Sequence, residues 1–104
     1  MSGARLLRQG SSTDAPPVTS EQVTFQVFGR SLAAQGTWAA VLVNRASTAV
    51  NVTLDFGELG VPSPSSARLA VRDAGARLDL GTFSQAFSAE VPARDAQFLV
   101  LKQA

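Results

Sequence analysis

Carboxylates and hydroxyls are the side chains in this sequence whose types suit catalysis. Two carboxylates about 5 Å apart can act as acid and nucleophile. Because Asp73 and Asp79 flank one predicted turn, we expect them to be the nearest such pair. We interpret them instead as a turn cap and as an ion-pair partner of Arg72 or Arg77. Exposed pairs of this kind contribute only about 0–1 kcal/mol. The eight acidic residues therefore predict a solvated surface rather than a catalytic pair.

The sequence lacks the side chains that usually support nucleophilic catalysis and zinc binding. The chain of 104 residues contains no histidine and no cysteine, so its serines have no imidazole base and a zinc ion has none of its commonest ligands. An oxygen-only calcium site at Asp73 and Asp79 would be chemically suitable, but the ligand spacing does not support it. We expect no catalytic, cofactor-binding or metal-ligating residue.

Charge and hydropathy argue against two classes of partner, nucleic acids and membranes. The net charge is +1, and 45% of the residues are hydrophobic, as in an ordinary globular domain. The basic residues form no stripe, which argues against nucleic acid as a partner. The longest apolar run, residues 38–43, is far too short to span a bilayer, so no membrane contact is expected.

Asparagine and the aromatic residues offer two further functional candidates. Asn51 lies in an Asn-Val-Thr glycosylation pattern. Sugar-binding surfaces use exposed aromatic rings, but the single tryptophan, Trp38, lies in the most apolar segment and is predicted to be a core residue. Alternation places five of the six phenylalanines in the core as well: Phe25, Phe56, Phe83, Phe87 and Phe98. Phe28 is out of phase with Phe25 and is the candidate for exposure.

Short alternating segments must position these residues. Residues 1–21 are polar and contain prolines, which predicts a lead-in or linker, and residues 22–104 form the folded domain. Within it we predict strands at residues 22–28, 37–44, 49–56, 67–73, 77–80, 82–91 and 96–102, with no helix. Seven to eight strands with turns every 8 to 12 residues are typical of an all-β antiparallel β-sandwich.

The second predicted strand is apolar on both faces. A sheet that faces water on one side should alternate between apolar and polar residues. This strand therefore needs cover on both sides, and the last strand has the same property. We predict a domain-docking surface formed by Ala39, Val41, Val43, Leu99 and Leu101.

Several short motifs follow one another in a recognisable order. They are Gly36 to Asn44 followed by Arg45, then Leu59-Gly60, Val71-Arg72-Asp73, Asp79-Leu80-Gly81-Thr82-Phe83 and Val91-Pro92. Their order and spacing resemble the C-terminal β-sandwich domain of glycoside hydrolase family 27, the α-galactosidases and α-N-acetylgalactosaminidases.

The resemblance implies a function without catalysis. In that family the sandwich follows a catalytic (β/α)8 barrel and carries no catalytic residue, and a barrel of this kind needs about 250 residues. The resemblance implies a stabilising or docking domain, a barrel of the same enzyme as partner, and a secreted or lysosomal location. Two alternatives stay open: an accessory module that binds carbohydrate, and a free-standing interaction domain. Self-association through an uncovered apolar face is a further expectation.

Overall fold

The chain forms an antiparallel β-sandwich. A computed structural model describes residues 5–10 and 24–104. The described residues form eight strands and one short helix: β1 (Arg5–Gly10), β2 (Phe25–Ser31), β3 (Thr37–Asn44), β4 (Val50–Asp55), α1 (Phe56–Leu59), β5 (Arg68–Asp73), β6 (Leu78–Ser84), β7 (Ala86–Val91) and β8 (Ala96–Gln103). The larger sheet has six strands in the order β1-β2-β3-β8-β5-β6, and the smaller sheet pairs β4 with β7. The predicted all-β fold is confirmed.

Alternation along the strands builds the core between the sheets. In β3, Trp38, Ala40 and Leu42 are buried, and Trp38 is only 6% exposed, which confirms it as a core residue. From the smaller sheet, Val52 and Leu54 of β4 are buried in the same core. Residues two apart on a strand share a face, so these side chains meet across the interior.

A single helical turn follows β4, where the sequence predicts a strand to residue 56 and then a loop. The Asp55 carboxylate accepts a hydrogen bond from the Gly57 backbone N–H at 2.8 Å, and Gly60 ends the turn with a φ of 94°. Phe56 and Leu59 are both buried by this turn. An aspartate N-cap and a glycine C-cap are ordinary helix signals, but four residues are too few for a helical period to be visible.

The predicted strand over residues 82–91 is two strands that lie in different sheets. β6 ends at Ser84 and β7 begins at Ala86, while Gln85 between them has a φ of 69°. The chain thus crosses from the larger to the smaller sheet at one residue with left-handed backbone. Phe83 and Phe87 still meet across the interior, with ring centroids 5.0 Å apart at an interplanar angle of 70°.

Residues 5–10, predicted as part of the lead-in, form the edge strand β1 against β2. A register shift between Leu6 and Arg8 turns both Leu7 and Arg8 away from solvent. Leu7 packs on the core and approaches Gly29, where a side chain would collide with it. β2 accordingly runs through Gly29, beyond its predicted end. The remaining part of the predicted lead-in, residues 1–4 and 11–21, lies outside the described residues, as do Gln22 and Val23 at the start of the predicted first strand.

The side chain of Arg8 links β1 in the larger sheet to β4 in the smaller sheet. Its guanidinium donates a hydrogen bond to the Thr53 carbonyl of β4, and its carbon Cζ lies 5.4 Å from the centroid of the Phe25 ring. The Arg8 Nε atom is sealed from solvent and lies 3.2 Å from Glu58 Oε1, close enough for an ion pair although not aligned for a hydrogen bond. β1 is therefore an integral strand of the sandwich.

Candidate functional site

The structure divides the five predicted docking residues between two faces. Ala39, Val41 and Val43 lie on the outer face of β3 and are partly exposed, as predicted. Leu99 and Leu101 are in the core, with exposures of 2% and 0%, so their assignment to an outer face is wrong. The register explains the correction: Ala40 pairs with Leu99 and Trp38 with Leu101, and directly paired residues point to the same side of a sheet.

The outer positions of β8 are Phe98 and Val100 instead. Val41 pairs with Phe98 and Ala39 with Val100. Phe98 is 53% exposed, which also corrects its predicted place in the core. Sequence could not decide between the two faces of β8 because both carry large apolar side chains.

Four apolar side chains form one row across the outer face of the larger sheet. The pairs Leu6–Phe28, Phe28–Val41 and Val41–Phe98 join β1, β2, β3 and β8 in register. Leu6 is 44% exposed, and Phe28, the predicted candidate for exposure, is partly exposed. We call Leu6, Phe28, Val41 and Phe98 the apolar row. The sequence predicts outward positions for Val41 and Phe28 but not for Leu6, which lies in the predicted lead-in, nor for Phe98, which is predicted to be in the core.

Beyond the apolar row the same face becomes mixed in character. A shallow groove of about 320 Å³ lies over β5, β6 and β8, with Ala70, Gly81 and Val100 among its lining residues. The Arg72 guanidinium nitrogen and Asp79 Oδ1, 2.8 Å apart, form an exposed ion pair at its border. The face thus offers an apolar centre with a charged margin, as the cores and rims of protein interfaces do.

The outer face of the smaller sheet has the opposite character. Asn51 and Thr53 of β4 pair with Glu90 and Ser88 of β7, and the hydroxyls of Thr53 and Ser88 are 2.7 Å apart. This is the polar surface expected of a sheet that faces water. The two outer faces therefore differ, and the apolar one belongs to the larger sheet.

Asn51 is exposed on this polar face, in the middle of β4. Its side chain points away from the core, because Val52 beside it is buried. The glycosylation pattern is thus sterically open, and occupancy of Asn51 by a glycan stays a prediction.

Asp73 and Asp79 serve the turn between β5 and β6, as the sequence predicts. Asp73 Oδ1 accepts a hydrogen bond from the Ala76 backbone N–H at 2.9 Å, and Asp73 Oδ2 accepts one from Gln97 Nε2 at 3.0 Å. These bonds, with the one from Ala76 foremost, lower the pKa of the Asp73 carboxyl. Asp79 is held by Arg72, so each carboxylate has a structural partner of its own.

Over residues 5–10 and 24–104, no three His, Cys, Asp or Glu side chains lie close enough together to hold a metal ion. In the same ranges, no helix is long and apolar enough to cross a membrane.

Comparison with known proteins identifies both a family and a fold. Residues 22–101 match the family described as the alpha galactosidase C-terminal beta sandwich domain. No curated protein sequence matches the chain.

Solved structures of three enzymes contain a similar sandwich. α-Galactosidase I from Mortierella vinacea has a TM-score of 0.73 at 24% identity, and the match covers 96% of this chain and 23% of that one. A family 27 β-L-arabinopyranosidase from Geobacillus stearothermophilus has a TM-score of 0.75 at 20% identity, covering 98% and 20%. The α-galactosidase from Saccharomyces cerevisiae has a TM-score of 0.71 at 13% identity, covering 97% and 32%. The chain therefore spans between a fifth and a third of the length of these enzymes.

Proposed function

Since the chain belongs to the family of α-galactosidase C-terminal β-sandwich domains, we propose that it is a non-catalytic domain that docks onto the catalytic barrel of an α-galactosidase-like glycoside hydrolase and stabilises it. The contact is made by the outer face of the larger sheet. The single observation that carries this proposal is the apolar row on one outer face, opposite a polar outer face on the other sheet.

The length of the matched enzymes supports a barrel as the occupant of this face. About 68–80% of each of their chains lies outside the match, and the family name places the sandwich at the C-terminus. A (β/α)8 barrel of about 250 residues is of the size needed to fill that remainder. Contiguous exposed apolar patches on soluble domains usually mark contact sites, and a covalently linked neighbour is the partner that is always present.

The chemistry of the described residues supports a role without catalysis. The two carboxylates that the sequence offers as a candidate pair, Asp73 and Asp79, have structural roles: Asp73 caps a turn and Asp79 pairs with an arginine. The absence of histidine from the sequence removes the commonest general base. The purified chain should therefore release no nitrophenol from nitrophenyl α-galactoside.

The docking proposal is tested with the barrel itself. The coding region next to that of this chain should encode a (β/α)8 barrel, and the two parts should co-purify when they are expressed as separate polypeptides. Val41→Lys combined with Phe98→Lys should abolish co-purification, because two charges enter the centre of the contact. The matched control, Thr53→Lys with Ser88→Lys on the polar face, should leave it intact.

Two results would overturn the proposal. One is the lack of any barrel in the neighbouring coding region, which would favour a free-standing interaction domain. The other is equal loss of the barrel by both double variants. Light scattering on the isolated chain adds a control, because self-association that is abolished only by the Val41 and Phe98 substitutions would identify a second copy as the occupant.

One observation favours a second function, an accessory module that binds carbohydrate. Phe98 presents an exposed ring, and the Arg72–Asp79 pair lies on the same face, since Arg72 pairs with Val100. An exposed ring beside paired polar groups is a surface on which a sugar can stack and form hydrogen bonds. Retention of the chain on an immobilised galactan, lost in Phe98→Ala, would favour this function over docking.

A further inference from the structure

A second cavity opens at the end of the sandwich where β1 begins and β2 ends. Its volume is about 430 Å³, and it is lined by Arg5, Gly29, Arg30, Ser31, Trp38, Leu59 and Gly60. Residues Arg5, Ser31 and Trp38 lie on the inner side of the larger sheet, since Arg5 pairs with buried Gly29 and Ser31 pairs with Trp38. The cavity therefore lies on the inner side of the larger sheet, beside the end of α1, and is separate from the apolar row.

Three hydrogen-bond donors line this cavity without partners in the described part of the chain. They are the Arg5 guanidinium, the Ser31 hydroxyl and the Trp38 indole N–H, none of which forms a hydrogen bond or ion pair with residues 5–10 or 24–104. Within those ranges, the polar side-chain atoms that are sealed from solvent without a hydrogen bond are Arg8 Nε and Gln97 Oε1. The indole N–H of Trp38 therefore keeps contact with solvent although its ring is largely buried.

The described residues around the cavity carry positive charge. Within residues 5–10 and 24–104, none of the seven lining residues is acidic, and the nearest acidic residue in sequence, Glu58, already pairs with Arg8. Arg30 has an interaction of its own, so Arg5 is the guanidinium that is free to bind. A guanidinium surrounded by further donors matches the acceptor-only oxygens of a carboxylate.

We propose that this cavity binds a carboxylate group, with Arg5 as its counter-ion and with Ser31 and Trp38 as additional donors. The carboxylate belongs either to an acidic monosaccharide or to an Asp or Glu side chain of a neighbouring domain. A cavity of about 430 Å³ has room for a sugar ring, since small-molecule pockets measure about 300–1,000 Å³. The carboxylate site uses residues other than the apolar row and is tested without a barrel, so its failure and the failure of the docking role can be distinguished.

Trp38 supplies the probe for the test, because it is the single tryptophan of the chain. The chain is titrated with galacturonate, with galactose, which differs in carrying a neutral CH₂OH group in place of the carboxylate, and with acetate. Indole fluorescence and the indole N–H resonance report binding. Galacturonate should shift both signals saturably, and galactose at the same concentrations should shift neither. Acetate binding as tightly as galacturonate supports the carboxylate site and shows that the sugar ring contributes nothing, which favours an Asp or Glu side chain over an acidic monosaccharide as the source.

Substitutions locate the site. Arg5→Gln should weaken galacturonate binding at least tenfold, and Ser31→Ala should weaken it severalfold. The matched control, Arg45→Gln, changes an exposed arginine at the far end of β3 and should leave binding unchanged. The proposal is overturned if galactose binds as tightly as galacturonate, if no ligand shifts the indole signals, or if Arg5→Gln and Arg45→Gln behave alike.

Discussion

The side-chain amide nitrogen of Asn44 lies 2.9 Å from the carbonyl oxygen of Val91, so the last residue of β3 is bonded to the last residue of β7 in the opposite sheet. The same nitrogen lies 2.9 Å from the Thr48 carbonyl oxygen and 3.1 Å from that of Pro92. The Asn44 side-chain oxygen accepts a hydrogen bond from the Ala46 backbone N–H at 2.8 Å. Asn44 is 1% exposed, and this buried polar residue joins the two sheets at one end of the sandwich.

Asn44→Ala should lower the free energy of unfolding by about 2–3 kcal/mol, because it leaves buried carbonyls without a donor. Asn51→Ala, which changes an exposed asparagine on β4, should stay within about 0.5 kcal/mol. Urea denaturation measures both values. Equal midpoints for the two variants would contradict the role assigned to Asn44.

Trp38→Ala and Phe98→Ala should differ strongly although both remove an aromatic ring. Trp38 is 6% exposed and Phe98 is 53% exposed. Truncation of the buried ring should cost about 3–5 kcal/mol, whereas truncation of Phe98 in the isolated chain should cost less than about 1 kcal/mol. Circular dichroism follows unfolding in both variants. A small loss for Trp38→Ala would show that this end of the core is not packed as described.

Asp73→Asn should destabilise the chain at neutral pH but not in acid. The pKa of Asp73 is lowered in the folded state, so its ionised form stabilises the fold. That stabilisation is present above the unfolded pKa of about 3.9 and is lost as the pH falls through the lower folded value. The difference in unfolding free energy between the parent and the variant should be constant from about pH 5 to 7 and shrink below about pH 4. A difference that does not change with pH would assign the effect to packing.

Arg8→Met should be more harmful than Arg72→Met. Arg8 combines an ion pair, a hydrogen bond to Thr53 and a contact with the Phe25 ring, whereas Arg72 forms an ion pair in which Asp79 is 81% exposed. We expect a loss of about 1–2 kcal/mol for Arg8→Met and less than about 1 kcal/mol for Arg72→Met. Thermal or urea denaturation distinguishes them, and equal losses would contradict the anchoring role of β1.

The sequence predicts the strands and their buried faces correctly where only one face of a strand is apolar. The alternation around Val52 and Leu54 assigns β4 correctly, and Trp38 is correctly placed in the core. In β8 the alternation does not show which face of the strand is buried, because Phe98 and Val100 are as apolar as Leu99 and Leu101. Only the pairing of Leu99 with Ala40 decides which pair faces outward.

Other differences arise from local features that leave little trace in a sequence. The register shift in β1 places consecutive residues, Leu7 and Arg8, toward the interior, which removes the period of two. Gln85 adopts a φ of 69° without being glycine, so the step between the sheets has no sequence signal. The cavity at Arg5 combines residues from four elements, β1, β2, β3 and α1, and could not be found without knowing how these elements pack together.

The place of β1 in the larger sheet sets the smallest segment of this chain that can be transferred to another protein as a folded unit. The family match begins at residue 22, but a segment cut there would leave β2 with a bare edge of unpaired backbone groups. Such an edge readily pairs with other extended chains, so the transplanted protein would be prone to aggregate. Recombination that preserves a soluble product must carry residues 5–10 as well. A transferable unit therefore starts at the strand that enters the sandwich, about seventeen residues before the recognisable part of the family sequence.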